Sequence, residues 1–255
     1  MNTAAPRVLI VDDEAPARNR LKDLLDDCRP GFPLELAGEA FNGLQAIEMI
    51  NQSIINQSMI DIVLLDIRMP VMDGIETARH LQKLAHPPAI VFTTALDGHA
   101  LEAFELNAVD YLLKPIRQER LATALKKALS NRVLSAAALT VITSRARTHL
   151  SVTERDRVML VPVADICYMR AELKYVTLKT LEREYLLEES LINLEKEFAD
   201  HFVRIHRSCL VARRSVIGFE KVAPEDGESR WVVMLKGLPE RLPVSRRQTH
   251  VVKEF

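Results

Sequence analysis

Short apolar runs alternate with helical patterns in the first half of the chain. Residues 8–11 form an apolar, β-rich run, and residues 16–28 then place apolar side chains on one face at helical spacing. Further apolar runs lie at 34–38, 62–65, 89–92 and 111–113, and further helical patterns lie around 44–50, 75–84, 98–107 and 117–133. Continuous apolar strands that alternate with helices are typical of a sheet covered on both faces. We therefore predict an α/β fold with a doubly wound, five-stranded parallel sheet.

The pattern changes after about residue 149. Residues 175–180 alternate apolar and polar positions, residues 231–235 do so more weakly, and 157–162, 166–169 and 185–187 are further short strand candidates. This period is typical of antiparallel sheets with one face in water. The second half is therefore predicted to be mainly antiparallel β.

Two helices are expected within this β-rich half. One is predicted over 190–198 with Ser190 as its N-cap, and a short one over 245–253 with Ser245 in the same role. Residues 131–148, which include the three consecutive alanines 136–138 and the polar run 143–148, are interpreted as a linker. The predicted organisation is a domain over 1–130, a linker over 131–148 and a second domain over 149–255.

Composition limits the classes of protein that fit. The chain has 255 residues, of which 48% are hydrophobic and 27% charged, so it is globular and not disordered. No apolar stretch approaches the roughly 20 residues of a membrane span, and the N-terminus lacks the pattern of a secretory leader. Cys28, Cys167 and Cys209 are odd in number and form no CxxC pair, which favours reduced thiols. We therefore expect a cytoplasmic protein with no membrane partner.

The net charge of −1 is the sum of two unlike halves. Residues 1–130 hold 13 Lys and Arg against 18 Asp and Glu, a net −5, whereas residues 131–255 hold 21 against 17, a net +4. Such a split suggests different partners for each half.

Charged and hydroxyl side chains follow four of the predicted parallel strands. They are Asp12, Asp13 and Glu14 after the first strand, Asp66 after the third, Thr93 and Thr94 after the fourth, and Lys114 after the fifth. These strand ends converge on one edge of the sheet. Clustered carboxylates repel one another, a hard divalent cation relieves that repulsion, and a lysine opposite it suits a phosphoryl group. Asp66 is then a candidate nucleophile that forms an aspartyl phosphate.

Each of these features alone is more often a helix cap or a solvated turn, but their joint occurrence is hard to obtain by chance. The set resembles the receiver domain of two-component response regulators over about residues 6–130. The matching motifs are Asp12-Asp13, Asp66, Met69-Pro70, Asp73-Gly74, Thr94-Ala95, Tyr111 and Lys114-Pro115.

The resemblance implies a role for each matched residue. Asp66 would accept the phosphoryl group, Lys114 would pair with its oxygens, Thr94 would move to bond it, and Tyr111 would turn inward. Thr94 is chosen over the adjacent Thr93 because Ala95 follows it. The implied Mg²⁺ ligands are Asp13, Asp66, the backbone carbonyl of Arg68 and, through water, Asp12.

The resemblance also implies partners. The phosphoryl group would come from a sensor histidine kinase, and the chain would be a phosphoryl acceptor, with at most intrinsic autophosphorylation and dephosphorylation, and not an enzyme. Phosphorylation would favour a homodimer through about residues 98–130. Charged residues for complementary pairs across a two-fold axis are Asp97, Glu102, Glu105, Arg117, Glu119 and Arg120.

The cations of the second half are gathered in short motifs, at 204–208, 210–214 and 243–247. For any single arginine, a solvated basic face is the commoner explanation. A cluster beside a receiver-like domain favours DNA, because arginine binds phosphates and can pair with guanine at two points. No helix-turn-helix pattern is present, so loops are expected to enter the groove.

This half resembles the LytTR DNA-binding domain over about residues 149–253, through 202–211, 242–247 and Tyr175-Val176. The family fold is an elongated β structure whose loops read two successive major grooves. The loops here would be centred on 172–175, 204–213 and 245–247. Candidate DNA contacts are Lys174, Arg204, Arg207, Ser208, Arg213, Ser245, Arg246 and Arg247.

Among these candidates, Arg207 and Arg247 are assigned to base edges, with Lys174 as a further candidate. Ser208, Ser245 and Arg246 are assigned to phosphates. The family often has asparagine where this chain has Ala212, so any role of that side chain is absent here.

The whole chain resembles the LytR/AlgR type of response regulator. The resemblance implies a phosphorylation-regulated transcription regulator that binds promoter direct repeats in double-stranded DNA as a dimer, with RNA polymerase as a further partner. Two alternatives stay open. One is an Mg²⁺-dependent phosphohydrolase that uses Asp66 as nucleophile, although no second carboxylate is placed as a general acid. The other is a receiver whose output binds protein or a small ligand.

Overall fold

A computed structural model describes residues 5–95, 109–130, 146–154, 157–223 and 229–255. The predicted helix at 98–107 and most of the predicted linker lie outside these ranges. The chain divides into two compact units, residues 1–145 with 153–159, and residues 146–152 with 160–255. No helix among the described residues is long and apolar enough to cross a membrane.

The first unit is built on a five-stranded parallel sheet. Its strands are β1 (Arg7–Val11), β2 (Glu35–Ala40), β3 (Ile62–Asp66), β4 (Ala89–Thr94) and β5 (Asp110–Leu113). They lie in the order β2-β1-β3-β4-β5, and every neighbouring pair is parallel. The predicted doubly wound sheet is confirmed.

Helices connect and cover these strands. They are α1 (Ala15–Cys28), α2 (Gly43–Ile55), α3 (Gly74–Leu81) and α4 (Gln118–Ser130). Leu21 and Leu25 of α1 and Leu121 and Leu125 of α4 are buried in one cluster with apolar side chains of the sheet. Burial of such side chains is the main favourable term for this layered packing.

The second half of the chain consists of antiparallel strands in short sheets. The strands are β6 (His149–Glu154), β7 (Arg157–Pro162), β8 (Tyr168–Glu172), β9 (Tyr175–Lys179), β10 (Glu184–Leu187), β11 (Phe202–His206), β12 (Cys209–Ala212), β13 (Val216–Val222), β14 (Arg230–Leu235) and β15 (Arg241–Pro243). The central sheet has the order β10-β9-β8-β12-β11, β13-β14-β15 form a second, and β6-β7 pair separately. The predicted antiparallel β fold of this half is confirmed.

The two predicted helices of this half are both present, but they differ in type. Helix α5 (Leu191–Glu197) begins after Ser190, whose Oγ accepts a hydrogen bond from the Ile192 N–H at 3.3 Å. Residues Arg246–Lys253 instead form a 3-10 helix, and the Ser245 side chain before it makes no capping hydrogen bond. The predicted cap at Ser190 is therefore confirmed, whereas Ser245 has the position of a cap but not its hydrogen bond.

Arg147, inside the predicted linker, is tied into the second unit. Its guanidinium lies 2.7 Å from a Glu189 oxygen and 2.8 Å from a Glu197 oxygen, and only 10% of its side chain is exposed. A buried arginine needs such carboxylate partners, because an unpaired buried charge is strongly unfavourable.

Candidate functional site

Two buried carboxylates meet one ammonium group at the carboxyl edge of the parallel sheet. Lys114 Nζ lies 2.8 Å from Asp66 Oδ1 and 2.8 Å from Asp12 Oδ2. Asp12 follows β1, Asp66 ends β3 and Lys114 follows β5, so the convergence of parallel strand ends brings the three together. Asp12 is fully buried and Asp66 is 5% exposed.

Burial and the neighbouring charges act on these groups in opposite directions. Loss of water around Asp66 raises the pKa of its carboxyl above the usual value, although Lys114 partly offsets this effect. Burial lowers the pKa of Lys114, but hydrogen bonds and charges of Asp12 and Asp66 outweigh it and raise that pKa. Lys114 is therefore a firmly held cation beside a carboxylate that is poorly solvated.

The loop between β3 and α3 fixes the backbone around Asp66. Asp66 Oδ2 accepts a hydrogen bond from the Arg68 N–H at 2.8 Å, and the Gly74 N–H donates to the Ile67 carbonyl at 2.9 Å. A Cβ atom at Gly74 would lie 2.0 Å from the Asp66 carbonyl oxygen, so only glycine fits this close approach. Asp73 then caps α3, because its Oδ1 accepts from the Glu76 N–H at 2.7 Å. The Asp73-Gly74 motif therefore serves the position of Asp66.

The other predicted site residues lie around this centre in different environments. Asp13 is exposed, so of the two adjacent acids it is Asp12 that enters the buried cluster. Thr94 is buried, and its carbonyl accepts a hydrogen bond from the Lys114 N–H at 2.7 Å. Tyr111 is half-buried in β5, and the Lys114-Pro115 peptide bond is cis.

The second group of predicted site residues gathers at one end of the central antiparallel sheet. Glu172 pairs with Tyr175, so residues 173–174 form a two-residue turn between β8 and β9. The Ala171 N–H donates to the Ser208 carbonyl at 2.8 Å, which links this turn to the one between β11 and β12. The Ser245 N–H donates to the Ile205 carbonyl at 2.8 Å. The backbone thus brings all three predicted loops together.

The basic side chains in these loops differ in how they are held. Lys174, Arg207, Arg246 and Arg247 are exposed, with Lys174 Nζ 5.3 Å from the centroid of the Tyr175 ring. Ser208 and Ser245 are half-buried, and Ser208 Oγ lies 2.9 Å from His206 Nδ1. The four basic side chains therefore reach solvent at this end of the sheet.

Arg204 and Arg213 form ion pairs within the domain. Arg204 forms a two-point ion pair with Glu195, at 2.8 and 2.6 Å, and donates to the Arg207 carbonyl at 2.7 Å. Arg213 lies 3.4 Å from a Glu254 oxygen. The basic motif in the sequence does not indicate these acidic partners, because Glu195 lies on α5 and Glu254 follows the 3-10 helix Arg246–Lys253. Arg204 therefore fits the role of holding the turn between β11 and β12 that carries Arg207, called the Arg207 turn below.

Arg204→Lys is expected to lower the free energy of unfolding of the second unit by about 1 kcal/mol. Lysine keeps the charge but loses the two-point geometry and the hydrogen bond to the Arg207 carbonyl. Urea denaturation followed by fluorescence of Trp231, the one tryptophan of the chain, measures the change. Arg241→Lys is the control, since the Arg241–Glu220 pair is exposed on both sides and is expected to contribute little. Equal losses in both variants would contradict a special role for Arg204.

Comparisons with known proteins agree with the interpretation of both halves of the chain. The response regulator receiver domain matches residues 8–126, and the LytTr DNA-binding domain matches residues 156–255. The positive alginate biosynthesis regulatory protein of Pseudomonas aeruginosa is 42% identical over 253 residues, which cover 97% of this chain and 98% of that protein. The sensory transduction protein LytT of Bacillus subtilis is 34% identical over 98% of each chain. The transcriptional regulatory protein YpdB of Escherichia coli is 30% identical over 98% of this chain and 97% of that protein.

These similarities extend over nearly the full chain and not over one domain alone. They confirm the two resemblances stated from the motifs, and they favour a DNA-binding output over a phosphohydrolase or a ligand-binding output. The chain belongs to the response regulators that join a receiver domain to a LytTR DNA-binding domain, and it is a phosphorylation-regulated transcription regulator.

Proposed function

We propose that Asp66 accepts a phosphoryl group from a sensor histidine kinase and that this modification controls promoter binding by the LytTR domain. The observation that carries the proposal is the position of Lys114 Nζ, 2.8 Å from the carboxylates of both Asp66 and Asp12. An ammonium held there can neutralise a phosphoryl group on Asp66, because it already faces the oxygen that would attack phosphorus.

In this reaction, a carboxylate oxygen of Asp66 forms a bond to phosphorus while the bond between phosphorus and the histidine nitrogen of the kinase breaks. The nitrogen keeps the electron pair and takes up a proton. Lys114 then pairs with the phosphoryl oxygens, and the Arg68 N–H that holds Asp66 Oδ2 in place fixes the direction of the carboxylate. The backbone around Asp66 therefore orients the nucleophile before the kinase docks.

The oxygen donors at the site fit Mg²⁺. Within the described part of the chain, no group of three or more His, Cys, Asp or Glu side chains lies close enough to hold a metal ion. Such a group is not required for Mg²⁺, because this ion usually keeps several waters and needs only one or two carboxylates. The proposed ligands are therefore sufficient to bind it: Asp66, Asp13, the Arg68 carbonyl and, through water, Asp12. When bound, Mg²⁺ would neutralise charge on the phosphoryl oxygens.

Thr94 and Tyr111 are proposed as the residues that respond to the new charge. Thr94 is tied to Lys114 through its backbone carbonyl, and Tyr111 lies three residues before Lys114 on β5. The response would favour a homodimer through the exposed side of α4 and its flank, where Arg117 and Glu119 are exposed. Asp97, Glu102 and Glu105 of the predicted dimer face lie outside the described residues, and Arg120 already pairs with Asp110 at 3.1 Å.

The dimer would bind direct repeats in promoter DNA and act together with RNA polymerase. Arg207 and Arg247 are proposed to reach base edges, while Arg246, Ser208 and Ser245 contact phosphates. The three cysteines are free and buried, which suits work in a reducing cytoplasm.

Selection of genomic fragments by the full chain, with and without a small-molecule phosphodonor, tests the function. Fragments with repeated motifs that are enriched by the phosphodonor are expected, and recovery of random fragments under both conditions would contradict it.

Arg246→Ala is expected to reduce the salt dependence of DNA binding. Each phosphate contact releases condensed counterions, so loss of one contact lowers the slope of log affinity against log salt by about 1. Fluorescence anisotropy of a labelled target duplex between about 50 and 200 mM salt measures the slope. An unchanged slope would remove Arg246 from the phosphate contacts.

A further inference from the structure

Leu173 stands at the tip of the turn between β8 and β9. Its relative exposure is 107%, the highest among the large apolar side chains that the structure describes. Its φ is +53°, in the left-handed region. Asparagine or glycine usually occupies this region in two-residue hairpin turns, because a larger side chain there is strained.

A leucine at this tip does not stabilise the isolated domain. Its conformation is unfavourable for a branched side chain, and its apolar surface is left entirely in water. Isolated exposed apolar residues are common on proteins, but few combine full exposure with a left-handed backbone. The two features together favour a contact that forms only when a partner covers the tip.

The surroundings of Leu173 indicate what that partner is. Exposed Lys174 follows it directly, and the Ala171 N–H that bonds to the Ser208 carbonyl joins this turn to the Arg207 turn. Leu173 is thus an apolar point at the sheet end that carries the cations assigned to DNA. In the major groove, the apolar group that proteins contact among phosphates and polar base edges is the 5-methyl group of thymine.

We propose that Leu173 packs against a thymine methyl group and is a sequence-specificity determinant of this regulator. The inference rests on the proposed DNA-binding function and deepens it, since it adds an apolar contact to the arginine contacts. The first loop, centred on residues 172–175, would then prefer a base that carries a methyl group. A lysine in place of Leu173 at the tip would not provide this preference.

The test uses the full chain, a phosphodonor and a duplex taken from the genomic selection. Each thymine of the duplex is replaced in turn by deoxyuridine, which removes only the methyl group. For the wild type, we expect affinity to fall about fourfold at one or two thymines, the amount for one buried methyl group. Leu173→Met retains an apolar side chain and is expected to keep this loss. Leu173→Asn suits the left-handed turn and is expected to bind the methylated and unmethylated duplexes equally.

The outcomes separate this inference from the proposed function. If the wild type forms a specific complex but Leu173→Asn shows the same deoxyuridine profile, the inference is wrong and the function stands. If Leu173→Asn weakens binding to vesicles of anionic lipid while its deoxyuridine profile equals that of the wild type, a membrane covers the tip and the inference is again wrong. If the wild type forms no specific complex with any selected duplex, the proposed function fails and the inference fails with it.

Discussion

Asp66→Asn is expected to abolish incorporation of a phosphoryl group from a small-molecule phosphodonor in the presence of Mg²⁺. Asparagine has nearly the same shape, and its amide oxygen can still accept the hydrogen bond that the Arg68 N–H donates at 2.8 Å. It lacks the charged oxygen that would attack phosphorus, and it removes one of the two charges that hold Lys114. Phosphate-affinity gel electrophoresis of the full chain measures the modified fraction.

Asp23→Asn is the matched control, because Asp23 is an exposed aspartate in the middle of α1. This variant is expected to be labelled like the wild type. Circular dichroism of both variants separates loss of the nucleophile from loss of the fold. Normal labelling of Asp66→Asn would place the acceptor elsewhere, with Asp12 and Asp13 as the next candidates.

The parallel fold could be predicted because its strands are buried on both faces. Residues 62–65 and 89–92 are uninterrupted apolar runs, and such runs between helical patterns leave few other architectures. The encounter of Asp66 with Lys114 followed from the same reasoning, since the ends of parallel strands share an edge. Which of Asp12 and Asp13 is buried could not be predicted, because both follow β1 and no periodicity operates in a loop. Only the fold decides that Asp12 is buried and Asp13 exposed.

The second half was predictable in its strand type and in its basic motifs, but not in its pairings. Alternation shows that a strand has one wet face, yet it does not say which strands are neighbours. The ion pairs of Arg204 with Glu195 and of Arg213 with Glu254 join elements that meet only through tertiary packing. The two-residue turn at Leu173 could not be predicted either, because Leu-Lys is not a residue pair typical of such hairpins.

Arg207→Ala is expected to weaken binding to a selected target duplex by about 1–3 kcal/mol, which is roughly 5- to 150-fold, and to relax the sequence preference. The guanidinium of Arg207 is exposed at a turn that Arg204 fixes, since Arg204 donates to the Arg207 carbonyl at 2.7 Å. A held backbone presents the side chain in a defined direction, so it can pair with a guanine edge at two points. Anisotropy titrations of the target and of a scrambled duplex measure both effects.

Arg183→Ala is the control for this experiment. Arg183 is also an exposed arginine of the central sheet, but it lies in the segment between β9 and β10, at the end opposite the Arg207 turn. Its removal is expected to leave both affinities close to those of the wild type. If Arg207→Ala weakens the target and the scrambled duplex equally, Arg207 contacts a phosphate, because a backbone contact carries no sequence information. Base reading would then rest on Arg247 and Lys174, and the same pair of duplexes would reveal which of them discriminates.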